Sequence, residues 1–242
     1  TSTLRGALLT SDFRSFSPIE LVRRRCSGVA RDWLDRMVSR IESPLDRNIF
    51  GAAYAGARRR LGGEPVVLDA EEQAALKGTG LLSLSGHSLD EVCRIALLVR
   101  TSECLPPEDY SSFISELYIR GDNFERQALL RGLTYLPDPE QFLSTAIEAC
   151  RTSVQLIFEA IACDNPYPFR YFPELNYNQM VLKALFIGSP LARLVGLEER
   201  FTPELVRMAE DYATERQAAG RPVPEDIPLF ITNDLGARNE AF

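Results

Sequence analysis

One stretch of this chain is written twice. Arg94-Ile95-Ala96-Leu97-Leu98 returns 32 residues later as Arg126-Gln127-Ala128-Leu129-Leu130, and Pro107-Glu108, Tyr110 and Ser112 return at the same offset as Pro139-Glu140, Phe142 and Ser144. A looser third copy begins at Gln179-Met180-Val181-Leu182, with Pro203 opening the helix that follows it. A period of 32 residues holding two amphipathic helices is the mark of an α-solenoid, because each unit leaves an apolar face that only its neighbour can cover. The expected fold is therefore all-α: HEAT- or armadillo-like helical hairpin repeats with an extended C-terminal arm. In this reading residues 1–65 form a helical cap and 66–220 the repeats, interrupted by a proline- and aromatic-rich insert at 164–174. Residues 221–242 are the arm, and the whole is a single domain.

Helix punctuation supports that reading along the chain. Pro18 opens a segment whose apolar residues Val22, Cys26, Val29, Trp33, Met37 and Ile41 recur at steps of three and four, predicting one helical stripe. Ser43-Pro44 reads as a cap with proline in the first turn, and Gly62-Gly63 as a stop. Ser88 with Glu91, Asp69 with Glu72 and Asp122 with Glu125 have capping-box spacing. Asp138-Pro139 and Thr202-Pro203 start two further helices. From Gly220 onward prolines rule out a helix, while Ile227, Leu229, Phe230 and Ile231 predict that the arm docks back on the protein.

Charge and cysteine narrow the functional classes. The 242 residues carry a formal net charge of −7. Residues 1–62 contribute +6, from twelve Arg and six acids, so the remainder carries −13. The basic clusters Arg23-Arg24-Arg25 and Arg58-Arg59-Arg60 each spread over a broad arc of a helix rather than lining a groove, and a nucleic-acid partner is not expected. Cys26, Cys93, Cys104, Cys150 and Cys163 show no metal-ligand spacing, and His87 is the only histidine. They read as reduced core residues, which points to the cytoplasm. No apolar run approaches the ~20 residues of a membrane helix. Gly78-Thr79-Gly80 and Ser83-Leu84-Ser85-Gly86 lack phosphate-loop spacing. No catalytic set, metal site or cofactor is expected.

The candidate site is the irregular stretch Asp164-Asn165-Pro166-Tyr167-Pro168-Phe169-Arg170-Tyr171-Phe172-Pro173-Glu174. Three prolines predict a loop, and its aromatic side chains need a surface to cover them. The amide-rich helix start that follows contains Lys183, one of only two lysines in the chain. Arg170, Tyr171, Glu174, Asn176, Asn178, Gln179 and Lys183 are the groups from which the pocket of a small-molecule binding protein, or of an enzyme, can be built. The competing use of the same amides is to cap a helix and satisfy the buried backbone of the insert.

Leu175-Asn176-Tyr177-Asn178-Gln179-Met180-Val181-Leu182-Lys183-Ala184-Leu185-Phe186, Pro190-Leu191-Ala192-Arg193-Leu194-Val195-Gly196-Leu197 and Ala218-Ala219-Gly220-Arg221-Pro222-Val223-Pro224 resemble the signature of EboA-domain proteins. The likeness covers the last third of the chain, with helix spacing agreeing back to about residue 90. The resemblance implies a product of the Ebo gene cluster, which also encodes a prenyltransferase, a metal-dependent hydrolase and sugar-isomerase-like proteins. It implies an accessory or scaffold role in making or exporting a secondary metabolite, such as a prenylated molecule or a pigment precursor like that of scytonemin. The partners implied are other Ebo-cluster proteins, and no catalytic residue is carried over.

Overall fold

A computed structural model describes residues 17–42, 44–76 and 84–228. Among them are twelve α-helices, a few short 3-10 turns and no strand beyond an isolated bridge between Pro65 and Ser88. The helices fall into two compact units, Thr1–Phe142 and Leu143–Phe242. The all-α expectation holds.

The first unit holds α1 (Pro18–Arg25), α2 (Gly28–Arg40), α3 (Arg47–Leu61), α4 (Ala70–Leu76), α5 (Leu89–Thr101), α6 (Pro107–Arg120) and α7 (Asn123–Gly132), ending in 3-10 turns at Leu133–Tyr135 and Pro139–Phe142. Its centre is α5, packed against α1, α3 and α7. Every residue from Leu89 to Leu98 is buried, so the charges on this helix need internal partners. They have them. Arg94 pairs with Asp90 one turn away and donates to the Tyr54 carbonyl at 3.0 Å, while Arg58 reaches Asp90 at 3.0 Å and Arg131 reaches Glu91 at 2.6 Å.

Local capping signals are realised. Asp69 and Glu72 satisfy each other's backbone N–H groups at 2.8 and 3.2 Å, and Asp122 and Glu125 do so at 2.8 and 2.9 Å. The Ser88 N–H donates to the Glu91 carboxylate at 3.1 Å, and Thr202 caps the last helix by accepting from Leu205.

The expected stripe from Val22 to Ile41 is broken. The helix stops at Arg25 and restarts at Gly28, whose φ of +52° takes the backbone out of the right-handed region, and Val29 is 77% exposed. The third helix opens at Arg47, where Asp46 accepts from the N–H groups of Asn48 and Ile49. The expected cap at Ser43 lies outside the described residues, as do the glycine stretch Gly78-Thr79-Gly80 and Ser83.

The segments matched in sequence are used unevenly, and they do not establish a solenoid. The first two lie on α5 and α7, which pack together. Pro107 opens the 14-residue α6, whereas Pro139 opens a 3-10 turn, and the boundary between the two units falls directly after it. The matched arginines also serve differently: Arg94 is buried in the ion network, while Arg126 donates to the carbonyls of Tyr118 and Ile119 at the end of α6.

The second unit holds α8 (Leu143–Cys150), α9 (Gln155–Ala162), α10 (Tyr167–Tyr171), α11 (Glu174–Ile187) and α12 (Pro203–Ala218), with 3-10 turns at Leu191–Arg193 and Glu198–Arg200. Residues 221–224 have no regular structure, but a turn follows at 225–226 and residues 227–228 are helical, where the prolines predicted no helix; Ile227 is buried, and the Asp226 carboxylate accepts from Leu191 N–H at 3.3 Å. Leu229, Phe230 and Ile231 lie outside the described residues. Among the described residues no helix is long and apolar enough to cross a membrane, and the five cysteines are free thiols, four of them buried.

Candidate functional site

The insert at 164–174 is not the loop that its prolines predict. Pro166 and Pro168 stand at the opening of α10, where a missing N–H costs nothing, and α11 begins directly after Pro173. Asn165 starts this arrangement: its side-chain oxygen accepts from Tyr167 N–H at 3.0 Å and its amide donates to the Ala160 carbonyl at 2.9 Å. The Tyr167 and Phe172 rings are buried, with the Tyr171 ring tilted against Tyr167, centres 4.8 Å apart.

Residues from later in the chain clamp the insert. Arg200 donates to the carbonyls of Phe169 and Phe172 at 3.2 and 2.7 Å and lies over the Tyr177 ring at 4.5 Å. Arg193 bridges Asp164 and Glu159, each at 2.8 Å, while its own carbonyl accepts from Asp164 N–H at 2.7 Å. Gly196 lies so close to the Phe169 ring that a Cβ there would stand 2.0 Å from it. The sequence reading did not single out Arg193, Arg200 or Gly196 as partners of the insert. Their spacing of 27 to 34 residues from what they hold carries no local signal.

The seven expected site residues separate. Arg170, Glu174 and Gln179 are exposed, and Tyr171 and Asn176 are half-buried. Asn178 is 1% exposed, on the buried face of α11 with Tyr177, Val181 and Leu185, and its side-chain oxygen has no hydrogen-bond partner. Lys183 follows five residues later, about 140° around the helix, and faces elsewhere.

Lys183 lines a recess. This half-open cavity of about 320 Å³ lies between the turn after α8, the first turns of α9 and the end of α11. Arg151, Thr152, Ser153, Gln155, Phe158, Lys183, Phe186 and Ile187 line it. The Lys183 ammonium donates to the carbonyls of Cys150, at 2.6 Å, and Thr152, and lies 5.3 Å from the Phe158 ring centre. It thus caps the end of α8, where carbonyls lack helical partners. Burial draws the Lys183 pKa below the ordinary lysine value. No carboxylate among the described residues pairs with it. Arg151 pairs at the surface with Glu148 at 3.2 Å. Glu159 is engaged by Gln155, Ser189 and Arg193, and these bonds outweigh its burial and hold its pKa below the usual range. The lining therefore offers two cations, three uncharged polar side chains and three apolar ones, a set suited to holding a molecule in place.

These features define a class: an all-helical protein whose second unit carries a small, cationic, partly aromatic recess. More specifically, the chain belongs to the EboA family, whose model, described as metabolite traffic protein EboA, matches residues 19–232. The match extends well before the segments that carry the resemblance in the sequence. Comparison with curated proteins finds no match, and comparison with solved structures finds none either.

Proposed function

We propose that this protein is a non-catalytic accessory protein of metabolite traffic, which holds a small metabolite in the recess at Lys183 and passes it to other Ebo-cluster proteins. The observation that carries this reading is the mixed lining, in which the cations Lys183 and Arg151 share one recess with Phe158, Phe186 and Ile187. Such a lining binds through apolar burial and orients through a few polar contacts. A prenylated molecule or a pigment precursor has the apolar body that those walls accommodate. Stacked helical hairpins supply the frame, and the buried thiols suit a reducing cytoplasm.

Native mass spectrometry of the full chain purified from its host tests the reading. A stoichiometric small molecule released by denaturation is the expected result; protein that is empty under every growth condition overturns it. A scaffold role is favoured by a different observation, the exposed Ile119 and Phe124 at the junction of α6 and α7, 69% and 61% accessible. Co-purification of another cluster product, lost in the Ile119→Ser/Phe124→Ser variant, is its expected signature.

A further inference from the structure

The recess also discriminates by charge. We infer that its ligand class is an organic anion: a carboxylate, sulfonate or phosphate held at Lys183 and Arg151, on a compact aromatic or apolar body lying against Phe158, Phe186 and Ile187. This rests on the reading of the recess as a metabolite site and adds the chemistry of what enters it.

Three observations converge. First, in a chain of net charge −7, the lining carries two cations and no carboxylate. Second, the Lys183 ammonium has three donors and commits two of them, to the Cys150 and Thr152 carbonyls. Its charge has no carboxylate partner among the described residues: nearby Glu159 is held by Arg193, and Glu148 by Arg151 itself at the surface, so of the two cations Lys183 is the one without a counter-charge. A half-buried ammonium without a counter-charge is the state that an anion relieves most. Third, Gln155 lies at the start of α9, whose N-cap residue Val154 has no side chain able to cap it, so first-turn N–H groups add positive potential beside the two cations. A cationic ligand would meet like charges. A neutral apolar one would leave the third Lys183 donor uncompensated. The volume of about 320 Å³ is at the small end for a ligand site, which favours a compact body over a long lipid chain.

Two fluorescent probes with nearly the same body separate the possibilities: anilinonaphthalene sulfonate, an anion, and neutral N-phenylnaphthylamine. Titrated into the full-length protein, the anion is expected to bind saturably and to weaken roughly tenfold or more in Lys183→Gln, the loss of about one charged hydrogen bond. Arg151→Gln, at an exposed position that does not threaten folding, is expected to weaken it about threefold, and added salt to weaken it further. The neutral probe is expected to change less than twofold in both variants, while Phe186→Ser weakens both probes. Circular dichroism confirms that each variant folds, and if Lys183→Gln does not, Arg151→Gln and the salt dependence decide. Equal, variant-insensitive binding of the two probes that is still lost in Phe186→Ser overturns the choice of an anion and leaves the recess a site. Binding untouched by Phe186→Ser, or no saturable binding of either probe, overturns the recess itself.

Discussion

Gly196 is the tightest point in the clamp around the insert, and replacing it by alanine gives a sharp test of that packing. Two penalties apply. At φ +71° an L-residue is in the left-handed region, which costs about 1–2 kcal/mol. A Cβ would also stand 2.0 Å from the Phe169 ring, and forcing a side chain aside in a packed region costs about 1–3 kcal/mol. Gly196→Ala is therefore expected to lose about 2–5 kcal/mol in all. Gly188 supplies the control: its φ is +77°, yet a Cβ there would meet nothing within 4 Å, so Gly188→Ala bears the backbone term alone. The assay is urea unfolding followed by far-ultraviolet circular dichroism, because the single tryptophan, Trp33, lies in the other unit. Combining Gly196→Ala with Phe169→Ala removes the clash and should recover part of the loss relative to additivity. If Gly196→Ala and Gly188→Ala are equally destabilising, or the double variant shows no coupling, Phe169 does not pack on Gly196 as described.

Other consequences concern buried charge and thiols. Replacing Asp90 by Leu leaves Arg94 buried without its carboxylate, whereas Arg94→Met leaves Asp90 with Arg58 and Ser88; denaturant titration should show Asp90→Leu the costlier, at about 3–5 kcal/mol. Asp90, whose burial is outweighed by bonds from Ser88, Arg58 and Arg94, and Glu72, held by Arg25, both have pKa values below the ordinary range. Their contribution is present above the unfolded pKa values and lost as pH falls through the folded ones, so stability should drop progressively below about pH 5, and a profile that is flat down to pH ~3 contradicts this. Burial pushes the thiols of Cys93 and Cys150 up to about 12. With a disulfide reagent at mildly alkaline pH, Cys26, half-buried at the end of α1, should react first, and the four buried thiols only on unfolding.

What the sequence disclosed had short range. Capping boxes couple residues three apart, and Asp69–Glu72, Ser88–Glu91 and Asp122–Glu125 all form. The first stripe failed because apolar periodicity is blind to one glycine leaving the helical region at Gly28. The insert was misread because three prolines suggest a loop wherever they fall, whereas here they occupy helix openings and Asn165 supplies the bonds that make a five-residue helix possible. Among the expected site residues, Lys183 was legible as a rare cation on an amide-rich helix. Its partners were not: the carbonyls it caps lie 33 and 31 residues earlier, and backbone carbonyls have no sequence identity. Arg151 and Phe158, which complete the recess, carry no motif at all.

The insert and the recess nevertheless belong to one construction. Lys183 does its work only if α11 holds a fixed height and rotation relative to the end of α8. The start of α11 follows directly from the insert, whose carbonyls Arg200 grips while stacking on Tyr177 in the first turn of the same helix. The other end is fixed by Gly188 in the left-handed cap position and by Ser189, whose hydroxyl donates to Glu159 on α9. Glu159 is also gripped by Arg193, which in turn holds Asp164 at the beginning of the insert. Charged hydrogen bonds thus tie α9 to the start of the insert through Arg193 and to the chain just after α11 through Ser189. The amides and aromatics around residues 164–178 help set the position of α11, and the groups lining the recess are its last turns and the α8–α9 turn. Loosening the clamp on the insert, as Gly196→Ala does at Phe169, should therefore weaken probe binding at Lys183 without altering any residue that lines the recess.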